Sequence, residues 1–327
     1  MPLGLLPSLK VDGVDYTIPM AVEETSIIAA LNKTAKWVHK KGSITTSRHG
    51  QCILGQMQLS NIKDTELLTQ QILSHRESWI IYLNETILLS LAKRGGGLKH
   101  IEVRLLEQRK EGNMAVLHLH CDTVDAMGAN LINQALEALK PLVKAATGFC
   151  ASMCIVSNLT DTMLTEASII MHDIDEDQGT GIANAADFAW QDPYRACTHN
   201  KGVLNGIDPI LIATGNDWRA VEAGIHAYAH QKSQYRAITQ WTYSNGTLKG
   251  HFKAPLIVGT VGGVTTLHPI AKIAMKMLNI SSAENLSRIC AAVGLLQNLA
   301  ALRALSTNGI VEGHMKLHID NLVLASG

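Results

Sequence analysis

Aromatic residues are scarce, at 4% of 327 residues with only three Phe. The interior must therefore be built from the Leu, Ile, Val and Ala that dominate a 46% apolar content. Neither sign of charge is in excess, with 28 basic and 28 acidic residues. No long basic run occurs, so the chain lacks the electrostatic footprint of a nucleic-acid binder. No apolar run approaches the roughly 20 residues of a membrane-spanning helix. The opening Met-Pro-Leu-Gly-Leu-Leu is too short for a signal sequence and has no basic leader. These absences read together as a cytoplasmic chain that engages neither nucleic acid nor membrane. No Gly-x-Gly-x-x-Gly is present, which leaves a Rossmann domain unsupported. Six cysteines are scattered, and the only close pair, Cys150 and Cys154, has no second pair to complete a zinc site. They are expected to be buried free thiols in a reducing compartment.

The length suffices for two domains, one of which can interrupt the other. Residues 52–158 behave as a unit. An alternating strand from Cys52 to Leu59 precedes a helical stretch from Asp64 to about Lys93, stopped by Gly95-Gly-Gly97. Strands over His100–Leu106 and Ala115–Thr123 flank a turn, and a helix over Met127–Ala146 leads to a last strand from Cys154. That order, βαββαβ, is the ferredoxin-like pattern, with two helices on one face of an antiparallel sheet. Asp125-Ala-Met-Gly-Ala-Asn130 lies where the hairpin hands over to the second helix. Gly128 lets another backbone approach, and first-turn amides there suit a phosphate; a cap by Asp125 with Gly128 kept for packing explains the same residues equally well.

Outside this unit, Val14–Met20 reads as a strand and Ser26 to about Lys41 as a helix, with Glu23 and Glu24 at its start, where the helix dipole favours acids. Ala183–Trp190 reads as a helix, Asp192–Arg195 as a loop, and Asp173–Asp177 as a solvated acidic loop. The richest stretch is Thr198–Ala220. Lys201 is placed in a turn with Gly202, Asn205 and Gly206, the run from Pro209 to Ala213 reads as a buried strand, and Gly215-Asn-Asp217 opens a helix. Further on, Phe252–Thr260 reads as a strand, His268-Pro269 precedes a helix, and Ser281-Ser-Ala-Glu284 is a capping box. His314 and His318, four apart, have the spacing of a metal pair, but no Glu stands between them and no third ligand is evident, so no metal is expected.

Seven motifs then fall in order: Pro19-Met-Ala-Val-Glu-Glu-Thr-Ser26, Asp125-Ala-Met-Gly-Ala-Asn130, Asp192-Pro-Tyr-Arg-Ala, Thr198-His-Asn-Lys-Gly202, Ala213-Thr-Gly-Asn-Asp-Trp-Arg219, Gly259-Thr-Val-Gly-Gly263 and Gly313-His-Met315. Together they closely resemble the soluble, bacterial class II of 3-hydroxy-3-methylglutaryl-coenzyme A (HMG-CoA) reductase. The resemblance covers essentially the whole chain. It implies an α+β fold in which residues 1–51 and 159–308 form a large substrate-binding domain. Residues 52–158 would be an inserted ferredoxin-like NAD(P)-binding domain, and residues 309–327 the start of a C-terminal flap.

The resemblance also implies the reaction, two hydride transfers from NADH or NADPH that carry HMG-CoA through mevaldehyde to mevalonate and free CoA, or the reverse. Carried over by motif, the catalytic residues are Glu24, Lys201, Asp217 and His314. Arg195 holds the substrate carboxylate, Ser26 and Asn205 are further substrate contacts, and Asp125, Met127, Gly128 and Asn158 line the dinucleotide. A homodimer with the active site between subunits is implied, and no metal. The chain starts after the N-terminal dimer-forming helices of that family and stops before its helical flap is complete. Read as truncation at both ends, this supports a second expectation, a non-catalytic relative that retains CoA or partner binding.

Overall fold

The computed structural model describes residues 2–107, 113–230 and 233–306. The chain divides into two compact units, residues 1–48 with 164–327, and residues 49–163. The first part of the larger unit holds β1 (Leu3–Val11), β2 (Val14–Ala21), α1 (Thr25–Lys41) and β3 (Gly42–His49). The smaller unit runs β4 (Cys52–Ile62), α2 (Thr65–Glu85), α3 (Leu89–Ala92), β5 (Gly97–Glu107), β6 (Asn113–Asp122), α4 (Ala129–Thr147) and β7 (Ala151–Ser157). The larger unit resumes with β8 (Leu164–Met171), α5 (Glu176–Gln191), α6 (Pro193–Thr214) and α7 (Trp218–Ala229). It continues through β9 (Thr239–Ser244), β10 (Thr247–Pro255), α8 (Gly263–Leu267), α9 (Pro269–Leu278) and α10 (Ala283–Ser306).

The smaller unit has the expected βαββαβ order, with α3 as an extra turn after α2. Its sheet runs β5-β6-β4-β7, with antiparallel pairing throughout. One face is closed by helices. A Cβ at Gly55 in β4 would meet Ile132 and Leu136 of α4 at 2.4 and 2.9 Å, so this glycine allows helix and sheet to touch. The helices bury residues at helical spacing, Leu68, Ile72, Trp79 and Leu83 in α2 and Ile132, Leu136, Leu139 and Val143 in α4.

The larger unit combines the β1–β2 hairpin, not anticipated as far as β1 is concerned, with a sheet ordered β3-β8-β10-β9 and covering helices. Its core contains Leu31 and Val38 of α1, Ile169 and Met171 of β8, Phe252 of β10, and much of α6 and α10. Among the described residues α10 is the one helix long and apolar enough to cross a bilayer, yet 72% of its most apolar window is buried inside the fold. It is buried on every side because α1, α5, α6, β8 and β10 surround it.

The central stretch departs from expectation. Pro209–Ala213 is not a strand, and Lys201 is not in a turn; both lie within the 22-residue helix α6. A five-residue apolar run cannot by itself separate strand from buried helix. The helical repeat appears only over the longer span, where Ala196, Asn200, Val203, Ile207, Ile210 and Thr214 are all buried. Asp192-Pro-Tyr-Arg195 is not a loop but the start of this helix, with the Asp192 carboxylate accepting from Tyr194 N at 2.9 Å and Pro193 in the first turn. Asp175 likewise caps α5, so the acidic segment is a helix entry. The strand expected at Phe252–Thr260 ends at Pro255, and the α10 cap is Ser282, one residue later than foreseen. All six cysteines are free, but only Cys121 and Cys290 are buried, while Cys150 and Cys197 are exposed.

Candidate active site

α6 carries three of the expected residues. At about 100° per residue, Lys201 and Asn205 stand four apart on one stripe, opposite the stripe that enters the core. Lys201 is exposed, and Asn205 and Arg195 are half-buried. The helix is held from behind by close packing and by buried polar groups. A Cβ at Gly206 would lie 2.8 Å from the Val293 carbonyl oxygen, and one at Gly294 would lie 2.8 Å from Ile207, so paired glycines let α6 and α10 approach. Next to Lys201, Asn200 is fully buried; its amide donates to Arg236 O at 2.8 Å and its oxygen accepts from Ile238 N at 3.0 Å.

His199 belongs to the same frame. Its Nε2 faces Thr239 Oγ1 at 2.5 Å and Asn298 Nδ2 at 3.1 Å, while Asn298 Oδ1 accepts from Thr239 and Trp241. Burial, with the Arg195 charge adding to it, drives the His199 pKa down to about 3 and keeps the ring neutral. The His and Asn of Thr198-His-Asn-Lys201 are thus the struts behind the lysine.

Two further expected residues head helices. Glu24 is the N-cap of α1, its carboxylate accepting from Ser26 N at 3.4 Å. Ser26 is half-buried in the first turn. Asp217 is the N-cap of α7 and accepts from Ala220 N at 3.2 Å. Each acid is therefore fixed by the helix it starts. Asp217 also contacts Arg219 Nε at 3.4 Å, and no ion pair between Asp217 and Lys201 is present among the described residues. Its neighbour Asn216 was missed: its side-chain oxygen accepts from Gly259 N at 2.7 Å and its amide donates to Thr214 Oγ1. Asn216 ties the Gly215-Asn-Asp217 turn to Gly259-Thr-Val-Gly-Gly263, so two of the sequence motifs form one piece of structure.

Asp208 was also missed. It lies two turns beyond Lys201 on the same stripe and sits against Glu222 of α7. Burial first, then the neighbouring Glu222 charge and a shared hydrogen bond, push the Asp208 pKa up to about 8. An isolated acid in Gly206-Ile-Asp-Pro-Ile-Leu-Ile212 was its signal. Arg195 shows the reverse stress: burial lowers the pKa of its guanidinium. Among the described residues neither Arg195 nor Lys201 has an ion-pair partner.

In the smaller unit, Asp125, Met127 and Gly128 are half-buried in the loop between β6 and α4, and Asn158 is half-buried just after β7. The N-cap of α4 is Gly128, not Asp125, and no side chain caps it. Gly128 has φ +93°, and a Cβ there would meet Thr123 Cγ2 at 2.3 Å. The position needs glycine on both counts. Its side-chain space is filled by Thr123 and Ile53, so Gly128 serves packing, while the first amides of α4 have no side-chain acceptor. The donor set fits a dinucleotide pyrophosphate. His314, with the flap expected over 309–327, lies outside the described residues.

Comparison with known proteins agrees with the motifs. The protein-family description Hydroxymethylglutaryl-coenzyme A reductase matches residues 1–319. The chain is 41% identical over 332 residues to 3-hydroxy-3-methylglutaryl-coenzyme A reductase of Archaeoglobus fulgidus, covering all of this chain and 75% of that protein. It is 31% identical to a probable enzyme of the same name from Borreliella burgdorferi, covering 98% and 75%. The class II 3-hydroxy-3-methylglutaryl-CoA reductase of Streptococcus pneumoniae, solved bound to NADPH, superposes with a TM-score of 0.90 at 36% identity, covering 94% of this chain and 85% of that one.

Proposed function

Because the chain belongs to the hydroxymethylglutaryl-coenzyme A reductase family, we propose how its residues divide the work of reducing HMG-CoA with a nicotinamide dinucleotide. The observation that carries the reading is the pair of cations on α6, Arg195 and Lys201, neither of them ion-paired among the described residues. One suits a carboxylate and the other an oxyanion. Arg195, partly stripped of water, binds the substrate carboxylate through its two-pronged guanidinium. Lys201 stands by the thioester carbonyl, where a fixed positive charge stabilises the alkoxide formed when hydride reaches the carbon. Asn205, on the Lys201 stripe, and Ser26 supply neutral polar contacts.

The bound nicotinamide, NADH or NADPH, supplies the hydrides. Gly128 and the uncapped start of α4 receive its phosphates, with Asp125, Met127 and Asn158 as neighbouring contacts. After the first reduction the hemithioacetal expels CoA thiolate, and His314 protonates that sulfur, since its ordinary pKa is near neutral. The second reduction turns mevaldehyde into mevalonate, and Glu24 delivers a proton to the aldehyde oxygen as it becomes the new hydroxyl. Asp217 is assigned to the same site as an acidic partner for the Lys201 charge, its carboxylate in this structure serving Arg219 and the α7 amides. The larger unit is read as the substrate-binding part and the smaller as the nicotinamide-binding part. We assign the chain to the cytoplasm as a homodimer, with no nucleic-acid, membrane or metal requirement in the reaction.

The test is to incubate purified chain with HMG-CoA and each reduced nicotinamide. Loss of nicotinamide absorbance should accompany release of free CoA thiol in a two-to-one ratio. Absence of oxidation with both cofactors, in a preparation whose circular dichroism shows an intact fold, would overturn the assignment.

A further inference from the structure

The sheet of the smaller unit carries a cluster that the reaction does not use. Gly55 faces α4 and pairs with Leu119, so Leu119 faces the helices too. Along a strand alternate residues point to opposite faces, which puts His118 and His120 on the face turned away from α2 and α4. Across the ladder, Glu102 of β5 is opposite His118 and His100 is opposite His120. Four imidazole or carboxylate side chains thus share one patch of two adjacent strands.

One of the three distances is that of a ligand set, and the other two are near it. His120 Nε2 lies 3.3 Å from Glu102 Oε2, and one ligand atom from each of Glu102, His118 and His120 falls within 4.8 Å of the other two. A tetrahedron with metal bonds of about 2.0–2.1 Å has edges of about 3.3–3.4 Å. The Glu102–His120 edge is therefore already set, and His118 needs a shift of about 1 Å or a little more to close the other two. His118 is 7% exposed, and its Nε2 meets Gln56 Nε2 at 2.8 Å and Arg104 Nη1 at 3.3 Å. Both neighbours are donors, so Nε2 carries no hydrogen and its lone pair accepts from them. Burial, followed by the Arg104 charge, lowers the His118 pKa. Arg104 is exposed and free to swing away from an incoming cation, and Gln56 can turn its amide oxygen inward.

We propose that Glu102, His118 and His120 form a three-ligand site for a divalent cation of the zinc class, with the fourth position open to water or Gln56. Two neutral imidazoles and one carboxylate are ligands that zinc favours, and a set of three with one open position is a common arrangement. Because the ligands come from two strands, the cation bridges β5 and β6.

The site is tested on the full chain after chelator treatment, titrated with Zn²⁺ against a chromogenic chelator and, separately, with Co²⁺ followed in the visible. One saturable equivalent is expected, with the intense cobalt bands of four-coordination. His120→Asn and Glu102→Gln, at half-buried and exposed positions, should each weaken binding by about tenfold or more, and the double variant should lose the cobalt bands. His118 is left intact because its burial makes loss of fold a competing explanation. No stoichiometric binding overturns the proposal, and so does one equivalent retained unchanged in the double variant. Neither readout depends on reductase turnover, so the site stands or falls apart from the catalytic reading.

Discussion

α6 and α4 are comparable helices, 22 and 19 residues long, each with an interior proline and each carrying residues of the proposed site. They present those residues in opposite ways. α6 is sealed at its start by the Asp192 carboxylate and offers side chains along its flank, Lys201 and Asn205. α4 has no side-chain cap and offers its own amides at the tip. Side chains on a flank need a rigid frame behind them, and Asn200, His199 and the Gly206–Gly294 contact provide it. A tip that works through main-chain groups needs only a glycine to start it. In the proposed reaction the flank would bring full charges to the carbonyl, and the tip would bring partial charges to a ligand that must later leave.

The sharpest way to break this contrast is Lys201→Ala. An exposed charge on the flank contributes to chemistry and little to stability, so kcat should fall by about 10²–10³-fold or more while the melting temperature stays put. Turnover near the parent level would remove Lys201 from the reaction. Gly128→Ala attacks the tip. Its positive φ and its contact with Thr123 make the loss structural, on the order of 1–3 kcal/mol of strain. A nicotinamide titration by fluorescence should show weakened binding, and unaltered affinity would free the tip from its role.

Asp217 separates capping from charge. Asp217→Asn retains an acceptor for the α7 amides, whereas Asp217→Ala costs about 1 kcal/mol of cap. Both should lose activity, but only the alanine variant should lose stability in a denaturant melt. Equal activity in Asp217→Asn and the parent would leave this residue a cap alone. The remaining effect is one of pH alone and is expected from Asp208→Asn. The folded state holds a proton on Asp208 up to about pH 8, which the unfolded chain releases near 3.8. This contribution is therefore present at acid pH and is lost as pH rises through that interval. The asparagine variant should show a flatter melting-temperature profile there; an unchanged slope would place the proton elsewhere.

The sequence disclosed the smaller unit well because its signals are local: alternation in Cys52–Leu59, the Gly95-Gly-Gly97 stop and apolar spacing in both helices. It misread α6 because the run after Pro209 is buried on all sides, and complete burial erases the periodicity that tells helix from strand. For the proposed site, the motif residues were legible as chemistry but not as geometry. Glu24 and Asp217 look like ordinary first-turn acids, and indeed they cap helices, so capping and proposed catalysis share one signal. Asn216, Asp208 and Asn298 went unseen because their partners are distant in the chain, Asn298 meeting Thr239 from 59 residues away.

Pro209, which misled the reading of α6, has a consequence of its own. Proline has no amide hydrogen, so the ladder bond that would run back four residues from position 209 cannot form. The carbonyl left without it belongs to Asn205. One residue thus shows two acceptors, the amide oxygen of its side chain and a main-chain oxygen released from the helix. The break in the ladder thus falls one turn after Lys201, at the residue that shares its stripe.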